Sequence, residues 1–562
     1  MGVGACNVLA RMAASVGELS AVAPVFQAVS DVPHGGVLLA LPALLAVGLL
    51  HQAHHYFQLP KGYYGLESLF LILAFLALAR LPSLEQLRYR APGEWGKLLG
   101  LDRIPEVRTL RNKIALLSEQ QAQAWSAELC AHWMGEDPEQ AAVLYVDGHV
   151  RVYYGHQTSL PRHYVARQKL CLRATTDYWV NAMDGQPFFV LNQPVDPGML
   201  QVLEHQIVPR LEQEIPNQPT AEQLAGDARL HRFTLIFDRE GYSPEFLRKM
   251  KDQRIACLSY HKYPGEDWRP EEFSPCQVPL ASGGCVQMHL AERGTFLGGK
   301  LWVREIRKRS ESGHQTSVLS TDYRCEPGPV AAAMFARWSQ ENFFKYMRQH
   351  YGLDHLIDYA TEEIPDTTKV VNPAYRSLDG QVRSLQGRLT RKLAAFSAMN
   401  LQGEIEPKKV AAFEQKKAEL QEQIEDLTQQ LDERKRQRKA LQHHITVSEL
   451  PEPQRFEQLS TQSKHLIDTI KMVAYRAETA MAQMAREKMT REDDARSLLR
   501  GLYSTEVDLL PDENARTLTV GVHHQANRCA DEVVRHLCNE LNQTETVFPG
   551  TELRLVYKLV SD

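Results

Sequence analysis

The sequence predicts a multidomain α/β protein in which a mixed sheet forms the core, a helical domain precedes it and long helices follow it. The chain has 562 residues, more than a single hydrophobic core accommodates. Residues 141–261 alternate short runs of β-forming residues with stretches of helical spacing. After Pro373, apolar residues recur every three or four positions over many turns, which is typical of long helices.

The composition restricts the class of protein. Hydrophobic residues make up 43% of the chain and charged residues 24%, which argues against a wholly disordered or membrane-embedded chain. The nine cysteines form no C-x-x-C pair, which argues against a zinc ribbon and a secreted disulfide framework, so we expect a reducing cytoplasm. A formal net charge of -5 gives no overall basic surface, so any contact with nucleic acid must be local.

Residues 1–34 are predicted to be an N-terminal extension, and residues 35–119 a small helical domain. Two apolar runs in this domain, 35–50 and 68–79, are shorter than the roughly 20 residues that a bilayer span needs. We therefore interpret them as buried helices and expect no membrane partner. The first run also lacks the basic flank of a signal peptide.

The last helix of the helical domain follows Pro105 and carries three basic residues on its predicted outer face, Arg108, Arg111 and Lys113. Together with the short helix before it, this segment resembles a helix-turn-helix, whose second helix contacts DNA. The three residues are therefore candidate DNA contacts. An ordinary amphipathic helix pair explains the same pattern and stays open as the alternative.

The core is predicted in two parts, residues 120–274 and 323–365, separated by a β-rich insertion at 275–322. The predicted elements of the first part are strands at 142–146, 150–154 and 186–191, a helix at 199–212, a strand at 233–237, a helix at 244–251 and a strand at 256–260. This β-β-β-α-β-α-β order is that of the RNase H fold. The second part contributes one strong helix at 331–350, which follows Pro329.

The region 366–503 is predicted to form a coiled coil or other long helices. Apolar stripes run from Leu378 to Leu393 and from Val410 to Ile445, with Lys417, Arg434 and Arg438 interrupting the second. These charges would weaken a closed two-stranded seam, so an antiparallel hairpin and a dimer seam both remain open. Residues 504–562 are predicted to be a small α+β domain without an assigned role.

Three carboxylates are placed for metal-dependent chemistry on phosphodiesters. Asp147 closes the first predicted strand in an Asp-Gly turn, Asp238 directly follows the fourth, and Glu341 lies in the predicted helix at 331–350. In an RNase H-like core the first and fourth strands are neighbours, so carboxylates there can converge, and a following helix can supply the third. Two divalent ions held by carboxylates activate an oxygen nucleophile and stabilise a leaving oxyanion.

The stretches LYVDGHVRVYYG, FDREGYSPEF and RWSQENFFKYMRQHYGLDHL together resemble the three catalytic blocks of prokaryotic insertion-sequence DDE transposases, over residues 35–360. The nearest likeness is to the subgroup with a β-rich insertion and an R-x3-E-x6-K signature, which Arg337 and Glu341 match. The final Lys is Arg348 here, and the Tyr expected three residues before the Arg is Met334. Either Lys or Arg supplies a cation for a DNA phosphate.

The resemblance implies a transposase that cleaves DNA at transposon ends and joins them to target DNA. It implies catalytic and metal-binding roles for Asp147, Asp238 and Glu341, with two Mg²⁺ ions that Mn²⁺ can replace. Its implied partners are transposon-end and target DNA and a second copy of the chain on that DNA, and its implied location is the cytoplasm, at a prokaryotic nucleoid. Further candidate DNA contacts are Arg304, Arg307, Lys308, Arg337, Lys345 and Arg348.

Plainer interpretations stay open for each residue. Asp147 could simply form a turn, Asp238 could cap the next helix while Glu240 takes its role, and Glu341 could pair with a basic neighbour four residues away. At the level of function, the alternatives are an inactive transposase-derived DNA-binding or regulatory protein and an RNase H-like nuclease that cuts without joining. The histidine pairs at 54–55, 443–444 and 523–524 lack metal-ligand partners at suitable spacing in the sequence, so no metal is expected there.

Overall fold

The structure is a computed structural model. It describes residues 7–560 except 156–159, 161, 166–167, 281–283, 336–337, 356–360, 363, 368, 401–409, 453–457, 490 and 492–493. The chain divides into two compact units, one made of residues 1–155, 161–360 and 459–562, the other of residues 156–160 and 361–458. The finer domain boundaries expected from the sequence stay predictions.

The first unit begins with short helices and one strand. They are α1 (Val8–Ser15), β1 (Val29–Val32), α2 (Leu41–Ala46), α3 (Ala53–Tyr56), α4 (Leu66–Leu78), α5 (Pro92–Lys97), α6 (Val107–Ser118), α7 (Ala122–Glu136) and α8 (Pro138–Ala141). The two apolar runs lie in this part, and nearly all of α4 is buried. In the described part of the chain, no helix combines the length and apolar character needed to cross a membrane.

A large mixed sheet with flanking helices follows. Its elements are β2 (Val143–Val152), β3 (Arg162–Val165), β4 (Leu170–Asn181), β5 (Pro187–Asn192), α9 (Met199–Val202), α10 (Val208–Glu214), α11 (Ala221–Gly226), β6 (Thr234–Phe237), α12 (Pro244–Asp252), β7 (Ala256–Tyr260), β8 (Ser274–Pro279), β9 (Cys285–Leu297), β10 (Leu301–Arg309), β11 (Gln315–Ser320), α13 (Pro327–Phe335) and α14 (Trp338–Tyr351). The mixed α/β architecture agrees with the predicted fold class.

The strand order across the centre of this sheet is β5-β4-β2-β6-β7. β4 is antiparallel to both β2 and β5, whereas β6 is parallel to both β2 and β7. β11 then pairs with β7, and β10, β9 and β8 extend the sheet outward. The strands of the predicted insertion therefore continue the same sheet, because β11 forms antiparallel hydrogen bonds with β7.

Two local predictions were wrong. The Asp147–Gly148 turn is absent from the structure, since β2 runs through both residues and pairs them with Trp179 and Tyr178 of β4. The cross-strand ladder outweighs the turn propensity of the Asp-Gly pair, and the antiparallel neighbour of β2 is β4, a segment for which the local sequence pattern predicts no strand. The helix predicted at 331–350 begins earlier, at Pro327, and is described as α13 and α14 on either side of residues 336–337, which lie outside the described residues.

The second unit contains a long helical hairpin. Its elements are β12 (Thr361–Glu362), β13 (Lys369–Val371), α15 (Pro373–Asn400), α16 (Val410–Ala440) and β14 (His444–Thr446). Arg438 near the end of α16 forms an ion pair with Asp379 near the start of α15, so the two helices run antiparallel. Apolar residues of both helices form one small core, consisting of Val382, Leu385, Leu389, Ile424, Leu427 and Leu431.

The chain ends with elements that complete the first unit. They are β15 (Gln458–Leu459), α17 (Gln462–Arg486), α18 (Ala495–Ser504), β16 (Val507–Asp512), β17 (Thr517–Val522), α19 (Arg528–Gln543) and β18 (Arg554–Leu559). α17 is buried along most of its length and packs against α4, α6 and β5. The N-terminal β1 joins β16, β17 and β18 in a four-stranded sheet.

Candidate functional site

Asp147 and Asp238 occupy equivalent positions on neighbouring parallel strands. Val146 of β2 and Phe237 of β6 are direct register partners. Asp147 follows Val146, and Asp238 follows Phe237. Parallel strands lie roughly 4.8 Å apart and successive side chains alternate between faces. Since Asp238 continues β6 in an extended conformation, with φ -80° and ψ 176°, the two half-buried aspartates share one face of the sheet.

Two further acidic groups, Asp196 and Glu240, lie at this end of the sheet, and Asp196 lies on the side of Thr176 and Tyr178, opposite to Asp147. The Asp196 carboxylate accepts hydrogen bonds of 2.7 Å from the Thr176 and Tyr178 hydroxyls. Partial burial raises the pKa of Glu240, and the negative charges of Asp196 and Asp238 raise it further. Glu240, the alternative to Asp238, therefore lies in the same electrostatic neighbourhood, and several carboxylates are concentrated at this end of the sheet.

The helices that carry the third predicted carboxylate cross the same face. The Tyr145 hydroxyl donates to the Ala333 carbonyl at 2.7 Å, and the His149 ring stacks on Phe344 with 5.4 Å between centroids. Tyr145 and His149 lie two residues either side of Asp147 on its strand. Ala333 precedes residue 341 and Phe344 follows it. Residues before and after position 341 therefore contact residues before and after Asp147.

Glu341 itself lies in the first turn of α14, where the structure describes the backbone without the side chain. Arg337 lies outside the described residues. Asp354, the substitute considered for Glu341, has an oxygen 2.6 Å from Nε2 of His149. The described structure therefore brings Asp147, Asp238 and Asp354 to one region, and puts the helix of Glu341 across it.

A buried charge network anchors α14, and sequence reasoning missed it. Glu478 of α17 is fully buried and forms an ion pair with Arg80. It also accepts hydrogen bonds from the Tyr346 hydroxyl at 2.7 Å and from the Tyr351 hydroxyl. Arg496 completes the network with an Nη1 atom 3.7 Å from the Glu478 carboxylate. No local sequence signal links these residues, because they come from four separate segments.

The three basic residues predicted on α6 are not equivalent. Arg108 is exposed, and Arg111 is exposed but forms an ion pair with Glu85. Lys113 is half-buried, its ammonium lies 3.4 Å from the Tyr64 carbonyl oxygen, and burial lowers its pKa. Only Arg108 and Arg111 of the three therefore present a charge at the surface.

Two of the arginines predicted to contact DNA, Arg304 and Arg307 of β10, are buried in contacts within the protein. Arg304 is buried, pairs with Glu292 and donates to the Asp322 carbonyl at 2.8 Å. Arg307 is buried, pairs with Glu305 at 2.8 Å and lies over the Trp268 ring. A guanidinium whose donors are already satisfied inside the protein is poorly placed to reach a phosphate.

The remaining basic candidates lie nearer the surface. Lys308 is half-buried, with its ammonium 5.7 Å from the centre of the Phe335 ring. Lys345 of α14 is exposed, and Arg348 in the last turn of α14 is half-buried. Lys345 and Arg348 lie on the helix whose residues Phe343 and Phe344 pack on Trp179, the cross-strand partner of Asp147.

The structure also changes the interpretation of the histidine pair at 523–524. His523 lies 3.0 Å from Asp508, and Nδ1 of His524 lies 2.8 Å from Asp531. Both histidines therefore have a carboxylate partner that the local sequence does not show. The partner of His523 is Asp508 of β16. Among residues whose side chains are described, Asp31, Asp508 and His523 are the single group with three converging metal-ligand atoms.

Comparison with known proteins gives a family for almost the whole chain. A family model described as "Transposase protein" matches residues 2–561. No curated protein matches the chain significantly in sequence. Among solved structures, a piggyBac transposase synaptic complex with hairpin DNA is similar over 86% of each chain, with 9% identity and a TM-score of 0.27, which is too low to support any inference about this chain. Because the family model spans more than half of the chain, the protein belongs to the transposase family.

Proposed function

We propose that this transposase is a metal-dependent DNA strand-transfer enzyme of the DDE type, built on an RNase H-like core. The observation that carries the proposal is the register of β2 and β6, which puts Asp147 beside Asp238 on one face of the sheet. The strand order β5-β4-β2-β6-β7, with its two antiparallel and two parallel pairings, is the order expected of an RNase H-like sheet.

Glu341 is the third carboxylate in this proposal. Its support is indirect: residues on both sides of position 341 contact residues on both sides of Asp147. The network around Glu478 holds the C-terminal half of α14 through Tyr346 and Tyr351. A helix fixed in this way can keep a catalytic carboxylate in position, because the supporting residues lock its orientation.

The donor set fits a hard divalent cation. Asp147, Asp238 and Glu341 offer carboxylate oxygens, the ligands that Mg²⁺ and Mn²⁺ prefer, and Asp196 and Glu240 add negative charge nearby. Two such ions, when bound, would activate the attacking oxygen and stabilise the leaving oxyanion. Asp147, Asp238 and Glu341 would hold the cations, and the β2–β6 register sets the spacing of the first two carboxylates.

DNA is the proposed partner, as transposon ends and as target. Arg108 and Arg111 on α6 and Lys345 and Arg348 on α14 are the candidate phosphate contacts with support from their positions. Lys308 and Arg337 remain candidates from the sequence resemblance. We propose a homodimer on DNA, in the cytoplasm at a prokaryotic nucleoid, and membership in the insertion-sequence subgroup with the β-rich insertion.

The test incubates the purified full chain with its own flanking DNA ends, a target plasmid and Mg²⁺, and sequences the products. Cleavage at the ends followed by joining to the target is expected. Cleavage without joining would indicate an RNase H-like nuclease. Specific binding without cleavage, in Mg²⁺ and in Mn²⁺, would indicate a regulatory DNA-binding protein and would contradict the proposed activity.

A further inference from the structure

Three metal-ligating side chains converge at a different sheet from the candidate active site, the four-stranded sheet in which β1 pairs with β16. His523 Nε2 lies 3.0 Å from an Asp508 oxygen and 3.9 Å from an Asp31 oxygen. One ligand atom from each residue lies within 4.8 Å of the other two. We propose that these residues form a binding site for a divalent zinc ion.

The sheet builds this cluster from three adjacent strands. Between the register pairs Val29–Leu509 and Val32–Val507, β1 has two residues where β16 has only Asp508. Such a bulge redirects side chains, and Asp31 within it adopts a left-handed backbone with φ 56°. The Asp31 amide also donates to the Asp508 carboxylate at 3.0 Å, which ties the bulge to β16.

His523 reaches Asp508 diagonally. The direct partner of Asp508 on β17 is Gly521, which has no side chain to occupy the position. His523 follows two residues later, and residues two apart share a face of a strand. Val507 and Leu509 are buried, so Asp508 and its two partners lie on the opposite, outer face of the sheet.

The chemistry of the donor set selects the ligand. Imidazole nitrogen and carboxylate oxygen are both ligands that Zn²⁺ takes in proteins, and water can complete the coordination at a surface site. The two carboxylates balance the charge of the dication. In the metal-free protein His523 Nε2 donates to the Asp508 carboxylate, which can only accept, so zinc would take the Nε2 lone pair and the proton would leave to solvent.

Zinc bound here would fasten the N-terminal strand to the C-terminal sheet. Asp31 and Asp508 are 477 positions apart in the chain, so the metal would cross-link the two ends of the protein. β1 has only four residues and pairs with the sheet along one edge, through β16. We therefore expect zinc to slow opening of β1 more than opening of β17 or β18.

The experiment titrates the full chain with ZnCl₂ against a competing chromophoric chelator. Asp31→Asn, Asp508→Asn and His523→Ala are compared in an Asp238→Asn background, which weakens competing metal binding at the candidate active site. The matched control is His524→Ala, because His524 pairs with Asp531 outside the cluster. We expect one zinc per chain, an affinity loss of at least about tenfold in each cluster variant, and no comparable loss in the control.

Amide hydrogen exchange supplies the second measurement. Zinc should slow exchange of residues 29–32 in the parent and in His524→Ala, and should have little effect in the cluster variants. Unchanged zinc affinity in all three cluster variants, or no zinc-dependent protection of residues 29–32, would overturn the proposal. The inference does not depend on catalysis, because the test reads zinc binding at a site that shares no residue with the candidate active site.

Discussion

At the scale of single residues, the charged side chains of this protein differ sharply in their surroundings. Asp147 and Asp238 are half-buried on one face of the sheet. Glu478 and Arg307, by contrast, are buried within networks of hydrogen bonds and ion pairs. Substitutions should therefore separate the proposed metal-binding role of the two aspartates from the structural role of the buried groups.

We predict that Asp147→Asn, Asp238→Asn and Glu341→Gln each abolish DNA cleavage and leave DNA binding nearly unchanged. Each change keeps the side-chain shape and removes one negative charge from a site that must hold two dications. Removing a charge from mutually repelling carboxylates should also raise the melting temperature of the metal-free protein slightly. Cleavage assays in Mg²⁺, gel-shift binding and thermal unfolding measure the three effects.

Glu240→Gln and Asp354→Asn are the matched controls for that prediction. Both carboxylates are connected with the aspartate pair. Burial and the charges of Asp196 and Asp238 raise the pKa of Glu240, and an Asp354 oxygen lies 2.6 Å from Nε2 of His149, two residues from Asp147. They should lower cleavage less than the three main variants. Near-normal Mg²⁺-dependent activity in a main variant, together with loss in one of these controls, would reassign the site.

Arg307→Ala should destabilise the protein by about 3–5 kcal/mol, because it leaves the buried Glu305 carboxylate without its cation. Its effect on DNA affinity should be small at temperatures where the variant is folded. Lys345→Ala should show the reverse pattern, with weaker DNA binding and little change in stability, since its side chain is exposed. Urea unfolding and salt-dependent DNA binding distinguish the two residues.

His465 gives a prediction about pH. Burial in α17, with nearby Arg210, lowers its pKa to about 4. An unfolded histidine titrates near pH 6.5, so between pH 6.5 and 4 the unfolded chain binds more protons than the folded one. Stability is therefore complete above pH 6.5 and falls as the pH drops toward 4, by about 3 kcal/mol from this residue alone.

His465→Gln should flatten that acid-side loss of stability, and His55→Gln, which changes an exposed histidine, should leave it intact. Urea unfolding at pH 7.5 and pH 5 measures the difference for each protein. An equal loss of stability in all three proteins would mean that His465 does not titrate in this range.

At the element scale, α6 and the α15–α16 hairpin are the two helical features with candidate roles in handling DNA. α6 has an apolar inner side, with Leu110, Ile114 and Leu117 buried, and an exposed side with Arg108 and Arg111. The hairpin has a packed base around Leu385 and Leu427 and exposed apolar residues farther along, including Leu393 and Val410. Both α6 and the hairpin thus have one side exposed to solvent.

Arg108→Ala combined with Arg111→Ala should weaken binding to the transposon ends. It should also reduce the slope of log affinity against log salt by about one unit for each lost phosphate contact. Lys113→Ala is the control on the same helix, because its half-buried ammonium lies 3.4 Å from the Tyr64 carbonyl and should matter for stability rather than for the salt slope. An unchanged slope in the double variant would place end recognition elsewhere.

Replacing residues 377–446 by a short flexible linker should leave metal binding by the core intact and impair synapsis of paired ends. The replacement is feasible because the two ends of the hairpin are already adjacent: Asp379 pairs with Arg438, and β13 pairs with β14. Leu385→Ala with Leu427→Ala, which loosens the base without removing the helices, is the milder comparison. Normal joining of paired ends by the shortened protein would leave the hairpin a packing role only.

At the scale of the whole molecule, the first unit is assembled from segments on both sides of the second. α17 follows the hairpin in sequence, yet it packs against α4, α6 and β5. Its Leu466, Met472 and Val473 side chains are fully buried. The N-terminal β1 likewise pairs with the C-terminal β16. The first unit therefore needs the segments on both sides of the second unit in order to fold.

A protein truncated after residue 360 should consequently fail to form a stable catalytic core, even though it retains Asp147, Asp238 and Glu341. It would expose the surfaces of α4 and β5 that α17 covers, and leave Arg80 without Glu478. Solubility, circular dichroism and hydrogen exchange of the truncated and full chains test this. A cooperative unfolding transition in the truncated protein would contradict it.

Local patterns in the amino-acid sequence were enough to predict several helices and strands. Apolar periodicity predicted α4, α6, α15 and α16, and the runs before Asp238 and at 256–260 predicted β6 and β7. Period and turn chemistry act over a few residues, so they are readable from the chain alone. The family resemblance, carried by three short stretches, agrees with the transposase family that matches residues 2–561.

Strand pairing, burial and ion pairs between distant residues became apparent only in the folded structure. It showed β2 running through Asp147–Gly148, because β4 supplies a ladder stronger than the local turn preference. It buried Arg304 and Arg307, although a run of basic residues reads as exposed in sequence, and it supplied His523 with Asp508. Strand pairing and burial between distant segments cause these outcomes. Local sequence patterns do not reveal them, since the contacting residues are far apart in the sequence.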